Sequence, residues 1–490
     1  MSKKIVILSD IHIGDNSATC WYQKKYHEPY LIKALDYIGQ NAASIEEVIL
    51  LGDIFDFWTY PCGSVPPSFS DIVNANPNIL GPEGKLKQIA EKVPVTYVNG
   101  NHDMNVGQND IATLGKVRYH NNLRYVKDIA TNRVLVTHGS EYTMFNAQDA
   151  TTALNPLPVG HFVTRAISEH LVKNKLTPGQ TAADLLDNGC PSKMDLLPGI
   201  IDAIKNPQSV AKILLDAFTS LPGVSKDTNV SLLSGRNVTF REAETIYDNL
   251  GTQWVQKYGV LSAIKAAWAD FNGNYIAWWA QRDALQRDNN ALIAVLGHTH
   301  TPKNGLREAL LNYANCGYMC PPLPGGKLQY PVTFAEISQT MGILTIMGTK
   351  SVNDPYTPQE FPPDSLVYSP AEDYSCYISI YNDSKSTITN QGIKETHGYY
   401  VVPPPLRIDS HERVSFWMQD YPGLQGTEGS AAYINQGSRK TITFQYACPL
   451  VSNNSCSPKP FSNKSDNGIW INNNVVTRGH PYFVDFEVKE

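Results

Sequence analysis

The sequence predicts an α/β fold for residues 1–350 and an all-β domain for residues 371–490, joined by a linker at 351–370. In the first third of the chain, short unbroken apolar runs alternate with segments of helical periodicity. Apolar residues at helical spacing dominate about 150–290, and short alternating apolar and polar runs dominate the last part. Strand–helix alternation with unbroken apolar strands is typical of a sheet that is buried on both faces.

The α/β part begins with four predicted strands and two predicted helices. The strands are apolar runs at residues 5–8, 48–51, 95–98 and 134–136. Leu31, Ala34, Leu35 and Ile38 recur at helical spacing between the first two strands, and Leu86, Ile89 and Ala90 do so before the third.

Residues 150–290 are predicted to be a helical insertion, because the apolar run at 292–296 resumes a strand after them. Apolar residues recur at i, i+3, i+4 and i+7 in Val210/Ile213/Leu214/Ala217 and in Ala243/Ile246/Tyr247/Leu250, and helical spacing continues in Leu261/Ile264/Trp268/Phe271. Such an insertion either has a structural role or forms a lid that shapes a substrate pocket. Its tryptophans Trp268, Trp278 and Trp279 are candidates to contact an apolar group or to pack in a core.

Composition excludes several classes of protein. At 490 residues, two or three domains are expected. No apolar run reaches the roughly 18 residues that a membrane span requires. The N-terminal "MSKKIVILSD" does not resemble a signal peptide, so we expect cytoplasmic synthesis. A net charge of −6 with interspersed acids and bases argues against nucleic acid as a partner.

The C-terminal part follows a Pro-rich polar stretch that begins "SVNDPYTPQEFPPDS". The runs "CYISIYN", "RVSFWMQ", "TITFQYA" and "YFVDFEV" alternate apolar and polar residues, with turn residues between them. This pattern predicts an all-β sandwich.

Polar side chains follow five predicted strands, at the point where each strand ends. In an α/β sheet the carboxyl ends of the strands form the ligand crevice, so these side chains are expected to converge. They are Asp10 and His12; Asp53 and Asp56; Asn101, His102 and Asp103; His138; and His298 and His300.

This convergence predicts a metal site. Buried carboxylates and imidazoles need a partner, and a divalent cation is one. Imidazole and oxygen donors without thiolate suit Mn, Fe, Zn or Co. Seven of these side chains are candidate ligands, which is more than one ion binds while leaving room for substrate; they are Asp10, His12, Asp53, Asn101, His138, His298 and His300. Two ions roughly 4 Å apart would clamp both oxygens of an in-line phosphoryl displacement.

The ordered set D-x-H, G-D-x-x-D, G-N-H-D, strand-end His and G-H-x-H resembles the calcineurin-like metallophosphoesterases. The resemblance covers residues 1 to about 345. It implies a two-layered β-sandwich flanked by helices, with a metal-bridging hydroxide as nucleophile. It implies that Asp53 bridges one ion held by Asp10, His12 and His300 and a second held by Asn101, His138 and His298.

His102 is the remaining imidazole of the set, and the resemblance makes it a non-ligand. Beside two ions it would donate to the phosphoryl oxygen or protonate the leaving alkoxide. We expect Asp103 to orient the His102 ring. We expect Asp56 to hold the metal ligands in place without binding an ion itself.

The stretch "GDIFDFW" and the long insertion before "GHTHTP" are similar to the branch that includes the UDP-2,3-diacylglucosamine pyrophosphatases. That branch commonly has Arg where this chain has His102, and this insertion is far longer. The resemblance therefore implies a cap that contacts substrate, without implying the lipid substrate of that branch.

The C-terminal part resembles the aegerolysins, small β-sandwich proteins that bind membrane lipids. Residues 426–430 (GTEGS) and 446–449 (YACP) carry the most specific part of this resemblance. Trp417, Trp470, Tyr400 and Tyr482 suit a membrane interface, or equally the packing of a sandwich.

Two functions follow as hypotheses. One is a dinuclear metal-dependent phosphohydrolase that cleaves a phosphoester or phosphoanhydride, with a lipid-linked ester as one candidate. The other is a membrane lipid-binding or toxin-like protein in which the phosphoesterase unit is auxiliary. The intact ligand set favours the enzyme, since a binding module has no need of His102. Membrane association, or release by a non-classical route, would accompany a lipid-binding C-terminal domain.

Overall fold

The computed structural model describes residues 3–130, 132–186, 189–191, 193–271, 276–277, 279–280, 291–307, 311–365, 374–420, 426–459, 462–466, 469–473 and 482–490. These residues form a mixed α/β structure with several sheets and a β-rich C-terminal region. Among the helices that they form, none has both the length and the apolar character that crossing a bilayer requires.

A seven-stranded sheet contains the first three predicted strands at its centre. In sheet order its strands are β15 (Thr357–Gln359), β14 (Leu344–Thr349), β13 (Val332–Ser338), β1 (Lys4–Leu8), β2 (Ile45–Leu51), β3 (Val95–Val98) and β4 (Val117–Tyr119). Strands β1 to β4 run parallel, whereas β13 pairs antiparallel with β1. Val6 and Leu8 point to one buried cluster while Ile5 and Ile7 point to another, so both faces are covered. This explains the unbroken apolar runs.

A second, five-stranded sheet shares a core with the first. Its order is β10 (Lys303–Asn304), β12 (Asn312–Asn315), β9 (Ile293–Leu296), β6 (Arg133–Thr137) and β5 (Arg124–Asp128). Val134 and Val295 lie in the same buried cluster as Ile7 and Ile49 of the first sheet. The ends of β6 and β9 therefore face the same region as the ends of β1, β2 and β3.

Five helices lie between the strands of the first sheet: α1 (Lys24–Gln40), α2 (Phe69–Ala75), α3 (Pro77–Leu80), α4 (Lys85–Ala90) and α5 (Gln108–Ala112). In α1 the residues predicted from helical spacing, among them Leu31 and Ile38, are buried. They pack on the face of the sheet that carries Val6 and Leu8.

The insertion between β6 and β9 is mainly helical, as predicted. It comprises α6 (Val159–His170), α7 (Lys193–Lys205), α8 (Val210–Thr219), the hairpin β7 (Asn229–Ser231) and β8 (Asn237–Thr239), α9 (Phe240–Ile246), α10 (Leu250–Tyr258) and α11 (Val260–Ala269). The helix predicted over 243–250 is two helices, because the backbone leaves helical geometry at Tyr247. Trp279 is buried, and Trp278 lies outside the described residues. Helices of the insertion share one buried cluster with α1 and α4.

Two short strands lie within the predicted linker. Residues of β15 pair with β14, so they extend the first sheet. Farther on, β16 (Asp364–Ser365) pairs with β11 (Leu306–Arg307). Pro358 is tolerated in β15 because an edge strand does not need every backbone N–H. Residues 357–359 and 364–365 of the predicted linker thus lie in strands, residues 366–370 lie outside the described part, and the linker itself stays a prediction.

The C-terminal region consists of two sheets that share a separate core. One has the order β19 (Tyr399–Val402), β21 (Glu412–Gln419), β17 (Cys376–Asn382), β27 (Tyr482–Lys489), β26 (Ile469–Asn473) and β25 (Ser462–Asp466). The other has the order β20 (Arg407–Ile408), β18 (Ile388–His397), β22 (Gly426–Asn435), β23 (Thr441–Pro449) and β24 (Ser455–Ser457). The four runs singled out in the sequence lie in β17, β21, β23 and β27.

Three of the four aromatic residues considered for a membrane interface or for packing contact buried clusters. Tyr482 lies in the C-terminal core, and Tyr400 packs against that core. Trp417 stacks on Tyr377 with ring centroids 5.2 Å apart, and Tyr377 stacks on Phe483 at 5.0 Å. These three stacked rings belong to the same buried cluster as the helical insertion. The side chain of Trp470 lies outside the described part.

Candidate metal centre

The predicted strand-end side chains converge because the chain turns sharply after each strand. Asp10, His12, Asp53, His298 and His300 all have positive φ, between 51° and 68°. Residues other than glycine adopt this left-handed region at a cost, and such residues cluster at functional sites.

Two glycines make room for the carboxylates. A Cβ on Gly100 would overlap the Asp53 carboxylate, and a Cβ on Gly297 would overlap the Ser9 hydroxyl and the Asp10 carboxylate. The glycines of the G-N-H-D and G-H-x-H motifs are therefore required by close approach between neighbouring strand ends.

The first group of donors is Asp10, His12 and His300. Nε2 of His12 lies 3.0 Å from Nε2 of His300, and Nε2 of His300 lies 3.2 Å from Oδ1 of Asp10. The backbone N–H of His298 and the Ser9 hydroxyl donate to the Asp10 carboxylate, which fixes its orientation. Two imidazole nitrogens and a carboxylate oxygen thus converge on one point.

The second group is Asp53, Asn101, His138 and His298. Nδ1–H of His138 donates to the Leu51 carbonyl at 3.2 Å, so Nε2 is the ring nitrogen that faces the other donors. That nitrogen lies 3.2 Å from Oδ2 of Asp53 and 3.1 Å from Oδ1 of Asn101. Nδ1 or Nε2 of His298 lies within 4.8 Å of the Asp53 and His138 donors.

Asp53 lies between the two groups. Its Oδ2 is 3.9 Å from Nε2 of His12 on one side and 3.2 Å from Nε2 of His138 on the other. The structure thus brings together all seven predicted ligands, and their assignment to particular ions stays a prediction.

The donor set suits cations. Asp10, Asp53, His12 and His138 are each at most 1% exposed, so their carboxylates and imidazoles are held close together away from water. Burial lowers the pKa of His298 to about 3, which keeps it a neutral ligand. Burial would also lower the pKa of His138, but the Asp53 carboxylate outweighs it and raises the pKa to about 10. Positive charge is therefore strongly favoured at this point, and a divalent ion would provide it.

His102 is held by Asp56 rather than by Asp103. Nδ1–H of His102 donates to Oδ1 of Asp56 at 3.1 Å, and the ring stacks on Trp58 with centroids 4.5 Å apart. The backbone N–H groups of Trp58 and Thr59 also donate to Asp56, which fixes the carboxylate. Burial alone would lower the pKa of His102, but Asp56 and Asp53 together raise it.

The expectation that Asp103 orients His102 is therefore wrong. The Asp103 carboxylate accepts hydrogen bonds from the backbone N–H groups of Gly100 at 2.6 Å and Ile54 at 2.8 Å. Burial, reinforced by Asp53, raises the pKa of Asp103 to about 6. Asp103 thus ties the third strand end to the second.

Tertiary contacts add residues that no motif indicated. The ring of Trp21 lies 4.7 Å from His12, 5.0 Å from His102 and 5.4 Å from His300 between centroids. A cavity of about 340 Å³ is lined by the rings of Trp21, His102 and His300 and by side chains of the insertion, including Thr164 and Phe271. Trp21 follows the first motif by nine residues without a recognisable spacing, so sequence reasoning had no signal for it.

Helix α6 of the insertion is fastened to the loop after Trp58. The buried guanidinium of Arg165 donates to the carbonyls of Tyr60 at 2.7 Å, Pro61 at 2.8 Å and Ser231 at 2.9 Å. Glu169, one turn on, accepts from the backbone N–H of Cys62 at 2.9 Å. The insertion is thereby held at a defined position beside His102.

Comparison with known families agrees with this site. Residues 3–185 match the model of the calcineurin-like phosphoesterase family. The chain contains a calcineurin-like phosphoesterase domain. Enzymes with this domain use two divalent metal ions, and the two convergent donor groups could hold them. The protein is accordingly a metal-dependent phosphoesterase.

Solved structures show weak similarity to the chain. A dimetal phosphatase from Danio rerio is 10% identical and matches 73% of this chain and 98% of its own, with a TM-score of 0.28. The lipid-binding protein Nakanori is 11% identical and matches 24% of this chain and 69% of its own, with a TM-score of 0.21. A protein of unknown function from Aquifex aeolicus is 16% identical over 37% of this chain and 83% of its own, with a TM-score of 0.16. No curated protein matches the chain.

Proposed function

We propose that the protein is a dinuclear phosphohydrolase that cleaves a phosphoester or phosphoanhydride by direct attack of water. The observation that carries this proposal is that Asp53 lies between two groups of buried donors. One ion would be held by Asp10, His12, Asp53 and His300, and the other by Asp53, Asn101, His138 and His298. When bound, such ions acidify water and neutralise charge on the phosphoryl oxygens.

His102 is proposed as the proton donor to the leaving oxygen. Its Nδ1–H is engaged by Asp56, so Nε2 is the atom from which a proton would transfer. Burial lowers the pKa of His102, but the Asp56 and Asp53 carboxylates outweigh it and raise the pKa, which favours the protonated ring that a proton donor requires. Stacking on Trp58 fixes the plane of the ring.

The inserted helices are proposed to form a cap over the substrate. Thr164, Asp270 and Phe271 line the cavity above the donors, and Arg165 anchors α6 beside it. Together with two sheets that share one core, this arrangement supports a sandwich with a cap as the architecture of residues 1–350.

The reaction can be tested with a panel of phosphomonoesters, phosphodiesters, nucleotides and phospholipids in the presence of Mn. His102→Ala should lower kcat on the order of 10² or more for an unactivated ester while retaining the metals. The effect should be smaller for a nitrophenyl ester, whose leaving group needs little protonation. Absence of metal-dependent hydrolysis across the panel would refute the proposed reaction.

For residues 371–490 we propose recognition of lipid head groups, in line with the aegerolysin resemblance. Leu406 and Val451 lie between strands of this region and are exposed by 83% and 93%. Side chains exposed to this extent are available for contact with a membrane surface. The full chain should co-sediment with liposomes of a preferred composition, and Leu406→Ser with Val451→Ser should weaken that binding. Lack of binding to sphingolipid, ethanolamine and anionic mixtures would exclude this role.

A further inference from the structure

A second cavity adjoins the metal centre on the side of Trp21. It has a volume of about 200 Å³ and shares Trp21 and Thr164 with the larger cavity that contains the metal donors. The two cavities therefore adjoin at these two side chains.

The lining of the second cavity is mainly apolar. Helix α6 contributes Ile167, and the segment that follows it contributes Leu171, Ala183 and Leu185. Pro322 closes the side toward the sheet. Because these residues come from the insertion and from the sheet region together, the cavity exists only when the insertion is docked.

The position of Trp21 relates the cavity to the reaction. Its ring contacts His102, the proposed proton donor, as well as His12 and His300 of the first donor group. A group attached to the oxygen that His102 protonates thus has a short path past Trp21 and Thr164. The apolar lining offers that group a place out of water.

We propose that this cavity is a substrate subsite for a compact apolar group, an aromatic ring or an alkyl chain of about six carbons, borne on the ester oxygen. The proposal rests on the proposed phosphohydrolase function. Its size limit follows from volume, since a dry apolar cavity of about 150 Å³ accommodates benzene. Leu186 at the rim is 63% exposed, so a longer chain would extend past it into water.

The test compares esters that differ only in the apolar group. Benzyl phosphate and methyl phosphate have alcohols of similar acidity, so their difference in kcat/KM reports the subsite rather than the leaving group. Benzyl phosphate, or the benzyl ester of 4-nitrophenyl phosphate if diesters are preferred, should be favoured by about tenfold to a hundredfold. An alkyl series should gain up to hexyl and then level off at decyl.

Filling the cavity should remove the preference. Ala183 is 3% exposed in the lining, so Ala183→Phe should reduce the benzyl-to-methyl ratio toward one. Ala182→Leu makes a milder change at the half-buried neighbour if Ala183→Phe does not fold. Ala112→Phe, on the exposed face of α5, is the control and should keep the ratio.

A binding measurement distinguishes failure of the proposed subsite from failure of the proposed reaction. Calorimetry with Mn-loaded protein should show benzylphosphonate binding at least tenfold more tightly than methylphosphonate, with the difference lost in Ala183→Phe. Equal binding or equal kcat/KM of the benzyl and methyl compounds overturns the subsite while hydrolysis itself stands. If no ester is hydrolysed, the reaction fails, and the phosphonate comparison alone decides the subsite.

Discussion

Replacing Asp56 by Asn should weaken His102 as a proton donor far more than the same replacement at Asp103. The Asp56 carboxylate is fully buried and lies 3.1 Å from Nδ1 of His102. An opposite charge at this range raises a histidine pKa by about one to three units. Asp56→Asn removes that charge while keeping an oxygen acceptor, so the His102 pKa should fall by this amount. For an alkyl ester, kcat should drop by about 10 to 10³.

The assay is the pH dependence of kcat at saturating Mn. A proton donor with a lower pKa loses its proton at lower pH, so the basic limb of the profile should move toward acid in Asp56→Asn. Metal content must be measured in parallel, because Oδ2 of Asp56 also lies 3.4 Å from Nδ1 of His12.

Asp103→Asn is the matched control. Its carboxylate contacts backbone N–H groups, so kcat should change by less than about tenfold and the basic limb should keep its position. A shifted limb in Asp103→Asn together with an unshifted limb in Asp56→Asn would refute the pairing of His102 with Asp56.

Three further predictions concern metal binding and stability. Asp53→Asn should reduce bound metal from two equivalents toward none, because both donor groups lose their shared oxygen; elemental analysis that still gives two equivalents would contradict this. Gly297→Ala should lower Tm and metal uptake, because the added Cβ would displace the Ser9 and Asp10 side chains. Gly63→Ala is its control and should change neither, since a Cβ there meets nothing within 4 Å. Burial outweighs the attraction of Lys303 and raises the pKa of Asp364 from 3.8 to about 6. The free energy of unfolding therefore falls as pH rises through 6, because the buried carboxyl group must then lose its proton. Asp364→Asn should therefore stabilise the protein by about 1–3 kcal/mol in thermal melts at pH 8 and not at pH 4, and destabilisation at pH 8 would show that the contact with Lys303 dominates.

Much of the fold was readable from local patterns. The unbroken apolar runs became β1, β2 and β3, because strands covered on both faces need apolar residues at every position. The helical spacing of Leu31 and Ile38 predicted the buried face of α1, because a helix on the surface of a sheet needs apolar residues only on the side that faces the core. The pairing of β15 with β14 was not predicted, because the hydrogen bonds that form it come from a separate strand and leave no pattern in the sequence of β15.

The sequence by itself determined which chemical groups stand at the strand ends. Their types and spacing are local, and parallel strands carry them to one edge of the structure. Only the tertiary structure decided which groups touch. Asp103 is adjacent to His102 in the chain, yet Asp56, 46 residues away, accepts the hydrogen bond from the His102 ring. The turn after the third strand directs the Asp103 carboxylate toward backbone N–H groups instead. Trp21 and the apolar cavity behind it likewise depend on how the insertion docks, through contacts between distant segments that no periodicity records.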